Sequence, residues 1–174
     1  MLVIREETPA DYEKVYLLIK TAFASAEHAD GNEQDLVNEL RKSESFIPSL
    51  SLVAEKDGVM AGHILFTKLK AGEETPLALA PLAVLPEFQK QGIGSALIKE
   101  GHKRAKEMGY RFSVVLGSEK YYPKFGYVPA SRYGIKAPFP VPDENFMAIN
   151  LKGDNVKLNA QVIYCLLYTS DAAD

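Results

Sequence analysis

A chain of 174 residues and 19.2 kDa has the size of one compact domain, at roughly 100–200 residues per domain. A formal charge of −3 and a sequence pI of about 5.7 argue against a protein that holds nucleic acid by bulk electrostatics. The single cysteine, Cys165, excludes an internal disulfide and favours a reducing compartment, and no apolar run approaches the ~20 residues of a membrane-spanning helix.

Leu2 to Arg5 reads as a short first strand, and the charges of Arg5, Glu6 and Glu7 that follow it do not suit a signal peptide. Cytoplasmic is therefore the expected location. Thr8-Pro9 is a helix-start signal, and Val15, Leu18, Ile19, Ala22 and Phe23 recur at helical spacing. Residues 26–34 are polar and acidic and read as a loop. A second helix is expected to place Leu36, Val37 and Leu40 on one face. Leu50–Glu55 and Val59–Leu69 are strand-like, and the Asp57-Gly58 pair between them predicts a tight hairpin.

Leu77–Leu85 is apolar on both faces, the pattern of a central buried strand. Pro81 inside it cannot donate to a ladder, which predicts a bulge or a local splay. An amphipathic helix follows Gly94, with Leu97, Gly101, Ala105 and Met108 on one stripe and Gly109 as its C-cap. Phe112–Leu116 is another buried strand, residues 118–127 are short and aromatic, and the proline-rich stretch 129–142 reads as an extended loop. Phe146–Leu151 and Val156–Tyr164 read as closing strands. The expected order is β-α-α-β-β-β-α-β-α-β, an α/β (or α+β) domain with a mixed sheet. One domain over residues 1–164 is expected, with 165–174 a frayed or non-native tail.

Gln89-Lys90-Gln91-Gly92-Ile93-Gly94 joins the central strand to the amphipathic helix. A glycine-bearing turn there exposes N–H groups with no intrahelical partner, and with the positive end of the helix dipole they make a seat for phosphate oxygens. The turn fails the Walker pattern, because Gly94 is followed by Ser95-Ala96-Leu97 rather than Lys-Ser/Thr. It also fails the dinucleotide fingerprint, because Leu97 stands where a third small residue belongs.

Leu77 to Pro86, the turn through Gly94 and Ser95-Ala96-Leu97-Ile98 together resemble the acetyl-coenzyme A motif of the GNAT superfamily, the GCN5-related N-acetyltransferases. Tyr121-Tyr122-Pro123-Lys124-Phe125-Gly126-Tyr127 resembles that family's second motif. Within the superfamily the chain is most similar to small bacterial YhbS-like acetyltransferases, over residues 2–164. The resemblance implies a largely antiparallel twisted sheet with a central parallel strand–helix–strand unit and helices on both faces. It implies acetyl-CoA as co-substrate and a primary amine as acceptor. The pyrophosphate would sit on Gln89, Lys90, Gln91, Gly92, Ile93, Gly94 and Ser95. The pantetheine arm would pair with Leu82, Ala83 and Val84 between splayed strands, and a backbone N–H near Val84 would receive the carbonyl oxygen.

Tyr122, four residues before Gly126, stands where many members of the family keep a general acid, and a phenol with a pKa of about 10 can protonate a thiolate. Tyr121 is the adjacent candidate. Glu55, His63, His28, Asp30, Glu33 and Asp35 are the candidate bases. His63 reads first as a hydrogen-bonded structural histidine, and the others as solvated surface residues. His28 and Asp30 have no further ligand beside them, so no metal is expected. The acidic stretch favours a cationic amine acceptor. No membrane partner is expected, nucleic acid is disfavoured, and a homodimer stays open. A non-catalytic acyl-CoA-binding or regulatory module is the alternative, and an unrelated nucleotide-binding α/β domain is the third reading.

Overall fold

The computed structural model describes residues 1–24 and 31–164. His28, Asp30 and the tail 165–174 lie outside the described residues. Strands β1 (Leu2–Glu6), β2 (Phe46–Lys56), β3 (Val59–Lys68), β4 (Leu77–Val84), β5 (Phe112–Leu116), β6 (Val128–Pro129) and β8 (Phe146–Asn150) form one sheet in the order β1-β2-β3-β4-β5-β8-β6. Every pairing in it is antiparallel except β4 with β5. Between β6 and β8 lies β7 (Ile135–Lys136), which pairs separately with β9 (Ala160–Gln161).

Helices α1 (Tyr12–Phe23) and α2 (Glu33–Arg41) cover one face, and α3 (Ile93–Glu107) covers the other. The two-residue period of the strands sorts the core. Ile64 and Phe66 of β3 pack toward α3, while Leu65 packs with Val15, Ile19 and Val37 of α1 and α2. The Asp57-Gly58 hairpin forms as its residue pair predicts: both residues have positive φ, 51° and 83°, the twist that matches flanking strands.

Three expectations change. Residues 118–127 hold only a short 3-10 turn, Tyr122–Phe125, because Pro123 and Gly126 leave no room for a longer helix. Val156–Tyr164 pairs as a strand only over Ala160–Gln161, against β7, with one further antiparallel bridge from Ile163 to Lys70, so it does not close the main sheet. Met108 is 46 % exposed, and the buried stripe of α3 is Ile93, Leu97, Ile98, Gly101 and Ala105.

The position of the site follows from β4. Three β4 steps, from Leu79 to Leu82, oppose two β3 steps, from Phe66 to Ile64. One extra residue is therefore bulged at Ala80-Pro81, where proline removes a ladder donor. On its other edge β4 pairs with β5 only at Leu77–Ser113 and Ala78–Val114. Beyond Ala78 the two strands part and form a fork that opens toward the start of α3.

Candidate active site

The free edge of β4 is the first part of the site. The N–H of Leu85 donates to the carbonyl of Ala61 at 2.9 Å, on the β3 side. Antiparallel alternation then turns the N–H and C=O groups of Val84, and of Leu82 two residues earlier, toward the fork. The side-chain amide of Gln89 donates to the Val84 carbonyl at 3.2 Å, consistent with that direction. Donors and acceptors that a paired strand would consume thus face the fork.

The second part is the start of α3. Gly92 is its N-cap, left-handed at φ 84°, and no side chain caps the helix. The Ala96 N–H closes the first helical bond on the Gly92 carbonyl at 3.0 Å. The N–H groups of Ile93, Gly94 and Ser95 precede it and have no acceptor inside the helix. The two glycines serve different needs. A Cβ on Gly92 would meet nothing within 4 Å, so that residue is required by its backbone angle; one on Gly94 would stand 2.8 Å from the Tyr121 hydroxyl. The helix start is held close to the sheet through Gly62, where a Cβ would come within 3.0 Å of Leu97 and 3.2 Å of Ile93.

The third part is aromatic. Tyr122 is completely buried, its ring so close to Gly117 that a Cβ there would lie 2.5 Å from it. Gly117 directly follows β5, so Tyr122 belongs to the β5 wall of the fork. Tyr121 stands edge-on to Tyr122, with centroids 5.1 Å apart, and to Phe125, at 5.2 Å. Its hydroxyl crosses to α3, 2.8 Å from where a Cβ of Gly94 would stand. Burial pushes the Tyr121 phenol up, and the nearby Ser95 side chain opposes that in part. Below these rings the Tyr127 hydroxyl meets Ser113 at 2.8 Å and His102 at 3.0 Å. Ser113 is the β5 residue of the last-but-one pair before the fork. Burial pushes the Tyr127 phenol well above the usual range and His102 down to about 4.

The predicted cofactor residues therefore converge. Leu82 and Val84 have side-chain atoms 3.8 Å from the same point beside Gly94, while Ala83 turns its side chain into the core under α1 and α2. Gln89, Lys90 and Gln91 form the exposed rim of the turn, with Lys90 left-handed at φ 64°.

The candidate bases do not converge. Glu55 accepts from Arg5 at 2.6 Å near the hairpin end of β2. Asp35 is exposed and accepts from the Tyr16 hydroxyl at 3.0 Å. Glu33 is buried at the start of α2. His63 is fully buried and belongs to a polar cluster under the α1–α2 layer. Arg41 holds Glu7 with two bonds of 2.9 and 2.8 Å, and Ser51 donates to Glu7 at 2.7 Å. Ser51 then accepts from His63 Nε2 at 3.1 Å, which fixes the neutral tautomer. Burial pushes His63 down to about 4 against the pull of Glu7. Burial is the largest influence on Glu7 and works to raise it, but its neighbours, the Arg41 bonds first among them, together outweigh it and leave that carboxyl below the usual range. His63 is a structural histidine, as its apolar sequence context suggests. Neither this cluster nor the one at Tyr127 carries a local sequence signal, since their members are far apart in the chain.

A helix start whose first N–H groups have no acceptor inside the helix, a strand edge whose backbone groups face away from β3 and an aromatic wall meet within one fork. Residues 12–127 match the profile described as "Acetyltransferase (GNAT) family". The chain is 45% identical over 118 residues to the uncharacterized N-acetyltransferase YjhQ of Escherichia coli K12, a match that spans 65% of each protein. It is 31% identical over 156 residues to the uncharacterized N-acetyltransferase YhbS of the same strain, over 88% of this chain and 89% of YhbS. The crystal structure of YhbS in complex with CoA superposes with a TM-score of 0.80, covering 92% of this chain and 88% of YhbS at 28% identity. A GNAT family acetyltransferase from Brucella melitensis in complex with acetyl-CoA superposes with a TM-score of 0.77, covering 94% of this chain and 96% of that one at 30% identity.

Proposed function

The chain belongs to the GNAT acetyltransferase family, and from that membership we propose that it transfers the acetyl group of acetyl-CoA to a primary amine by direct attack. One observation carries the reading. The unpartnered N–H groups at the start of α3 and the unpaired edge of β4 meet beside Gly94, with Leu82 and Val84 each 3.8 Å from one point there. That junction fits a ligand with a diphosphate at one end and an amide-bearing arm at the other.

Acetyl-CoA, when bound, supplies a thioester carbonyl for the amine to attack. The residues of this chain do the rest. Ile93, Gly94 and Ser95 receive the pyrophosphate through their N–H groups. Leu82 and Val84 hold the arm in register along β4 by backbone hydrogen bonds. A β4 N–H on the fork side stabilises the charge that builds on the carbonyl oxygen, a role typically worth ~3 kcal/mol for one donor. Tyr122 in the β5 wall donates its phenolic proton to the departing thiolate. The acceptor enters as a neutral amine and, after attack, releases one proton to water, which returns a proton to the Tyr122 phenolate, since Glu55 is engaged by Arg5 and Asp35 by Tyr16.

The complete burial of Tyr122 favours a second reading, a non-catalytic acyl-CoA-binding module on the same fold. Calorimetry with CoA and a free-thiol assay with acetyl-CoA against cationic, neutral and anionic amines separate the two. Binding with turnover of at least one amine is the expected result. Binding without turnover favours the module, and stabilisation by ATP or NAD in place of CoA overturns both.

A further inference from the structure

We infer that Tyr121 is a cofactor-positioning residue whose hydroxyl donates to the pyrophosphate of the acyl donor. The inference rests on the function proposed above and adds a contact outside the glycine turn. Tyr121 follows β5, yet its hydroxyl is at the opposite side of the fork, 2.8 Å from where a Cβ of Gly94 would stand. Leu82 Cδ2 and Val84 Cγ2 are 3.8 Å from that same point. The hydroxyl therefore lies where an anion on the α3 amides would continue into an arm laid along β4.

Three features suit it to that contact. The Tyr121 hydroxyl lies 2.8 Å from where a Cβ of Gly94 would stand and close to the Ser95 side chain, so the phenol already stands among the residues whose N–H groups would receive the anion. Edge-on contacts with Tyr122 and Phe125 fix the ring, so little side-chain entropy remains to be lost on binding. Lys124 Nζ stands over the ring, 5.6 Å from its centroid, and brings positive charge to the same side. A phenol, with its ordinary value near 10, is protonated at neutral pH, as a donor to phosphate must be. The same placement excludes Tyr121 from the reacting sulfur, because the full pantetheine arm separates thioester from pyrophosphate.

Tyr121→Phe keeps the ring and removes only the donor. Calorimetric titrations of wild type and variant compare CoA with pantetheine, which has the arm and thiol but no pyrophosphate. The expected result is a loss of about tenfold in CoA affinity, the size of one charge-assisted hydrogen bond, with pantetheine affinity unchanged. An equal loss for both ligands would mean that the hydroxyl only supports the wall, and unchanged CoA affinity would mean that it makes no contact; either overturns the inference. A wild-type protein that does not bind CoA would overturn the proposed function and this inference with it. A wild type that binds CoA as tightly as Tyr121→Phe does would overturn this inference alone.

Discussion

Tyr121 and Tyr122 are adjacent in the chain and point to different walls of the fork. Tyr122 lies on Gly117 beside β5, and Tyr121 reaches Gly94 and Ser95 on α3. Replacing Tyr122 with Phe is expected to lower kcat about 100-fold, within the usual range for a general acid, while CoA affinity stays as it was. Steady-state kinetics beside a CoA titration checks this, and undiminished kcat would remove Tyr122 as the acid. The motif around Gly126 picked out both tyrosines. Which wall each ring joins is set by the left-handed turn at Gly126, φ 99°, and by the bare backbone of Gly117 and Gly94, contacts that no local pattern encodes.

Among the elements, α3 is the part on which the site depends most. Its N-terminus is the proposed phosphate seat, and its distance from the sheet is set where Gly101 faces Phe66. A Cβ on Gly101 would stand 2.3 Å from Phe66 Cε1 and 2.8 Å from Cζ. Gly101→Ala is therefore expected to destabilise by about 1–3 kcal/mol, as overpacked cores do, despite the better helix propensity of alanine. A lower urea midpoint with an unchanged m-value checks it, and a stabilised variant would mean that the helix shifts outward freely. The strand–turn–helix from Leu77 to Glu107 was legible because its signals are local: an apolar run, a glycine turn, then period 3.6. The early end of the β4–β5 ladder was only hinted at by Pro81, because β5 is brought to β4 by the whole crossover. The expected closing strand at Val156–Tyr164 failed for the same reason, since its partner is the two-residue β7 rather than the main sheet.

At the scale of the molecule, the buried histidines His63 and His102, among the described residues, tie stability to pH. His63 under the α1–α2 layer and His102 under the fork are both pushed down by burial to about 4, from an ordinary value near 6.5. The unfolded chain takes up these protons below pH 6.5, whereas the folded chain resists until about pH 4. Stability is thus fully present above pH 6.5 and falls as the pH drops toward 4, by up to about 1.4 kcal/mol per unit for each histidine. Unfolding free energies between pH 6.5 and pH 5, above the range in which carboxylates titrate, for wild type and His102→Gln check this. The variant is expected to show about half the slope in this window, and an unchanged slope would mean that His102 does not contribute.

By itself the sequence determined the order of most elements, the hairpin at Asp57-Gly58, the glycine turn before α3 and the resemblance that points to coenzyme A. Each of these is written in residues that are neighbours in the chain, where periodicity, proline, glycine and capping act directly. Only the tertiary structure decided that β4 and β5 part after Ala78, that Tyr121 crosses the fork to Ser95, and that His63 is held by Ser51 beside Glu7 and Arg41. Those arrangements join residues from separate elements. They depend on which faces the sheet buries and on how closely glycine lets the backbones approach.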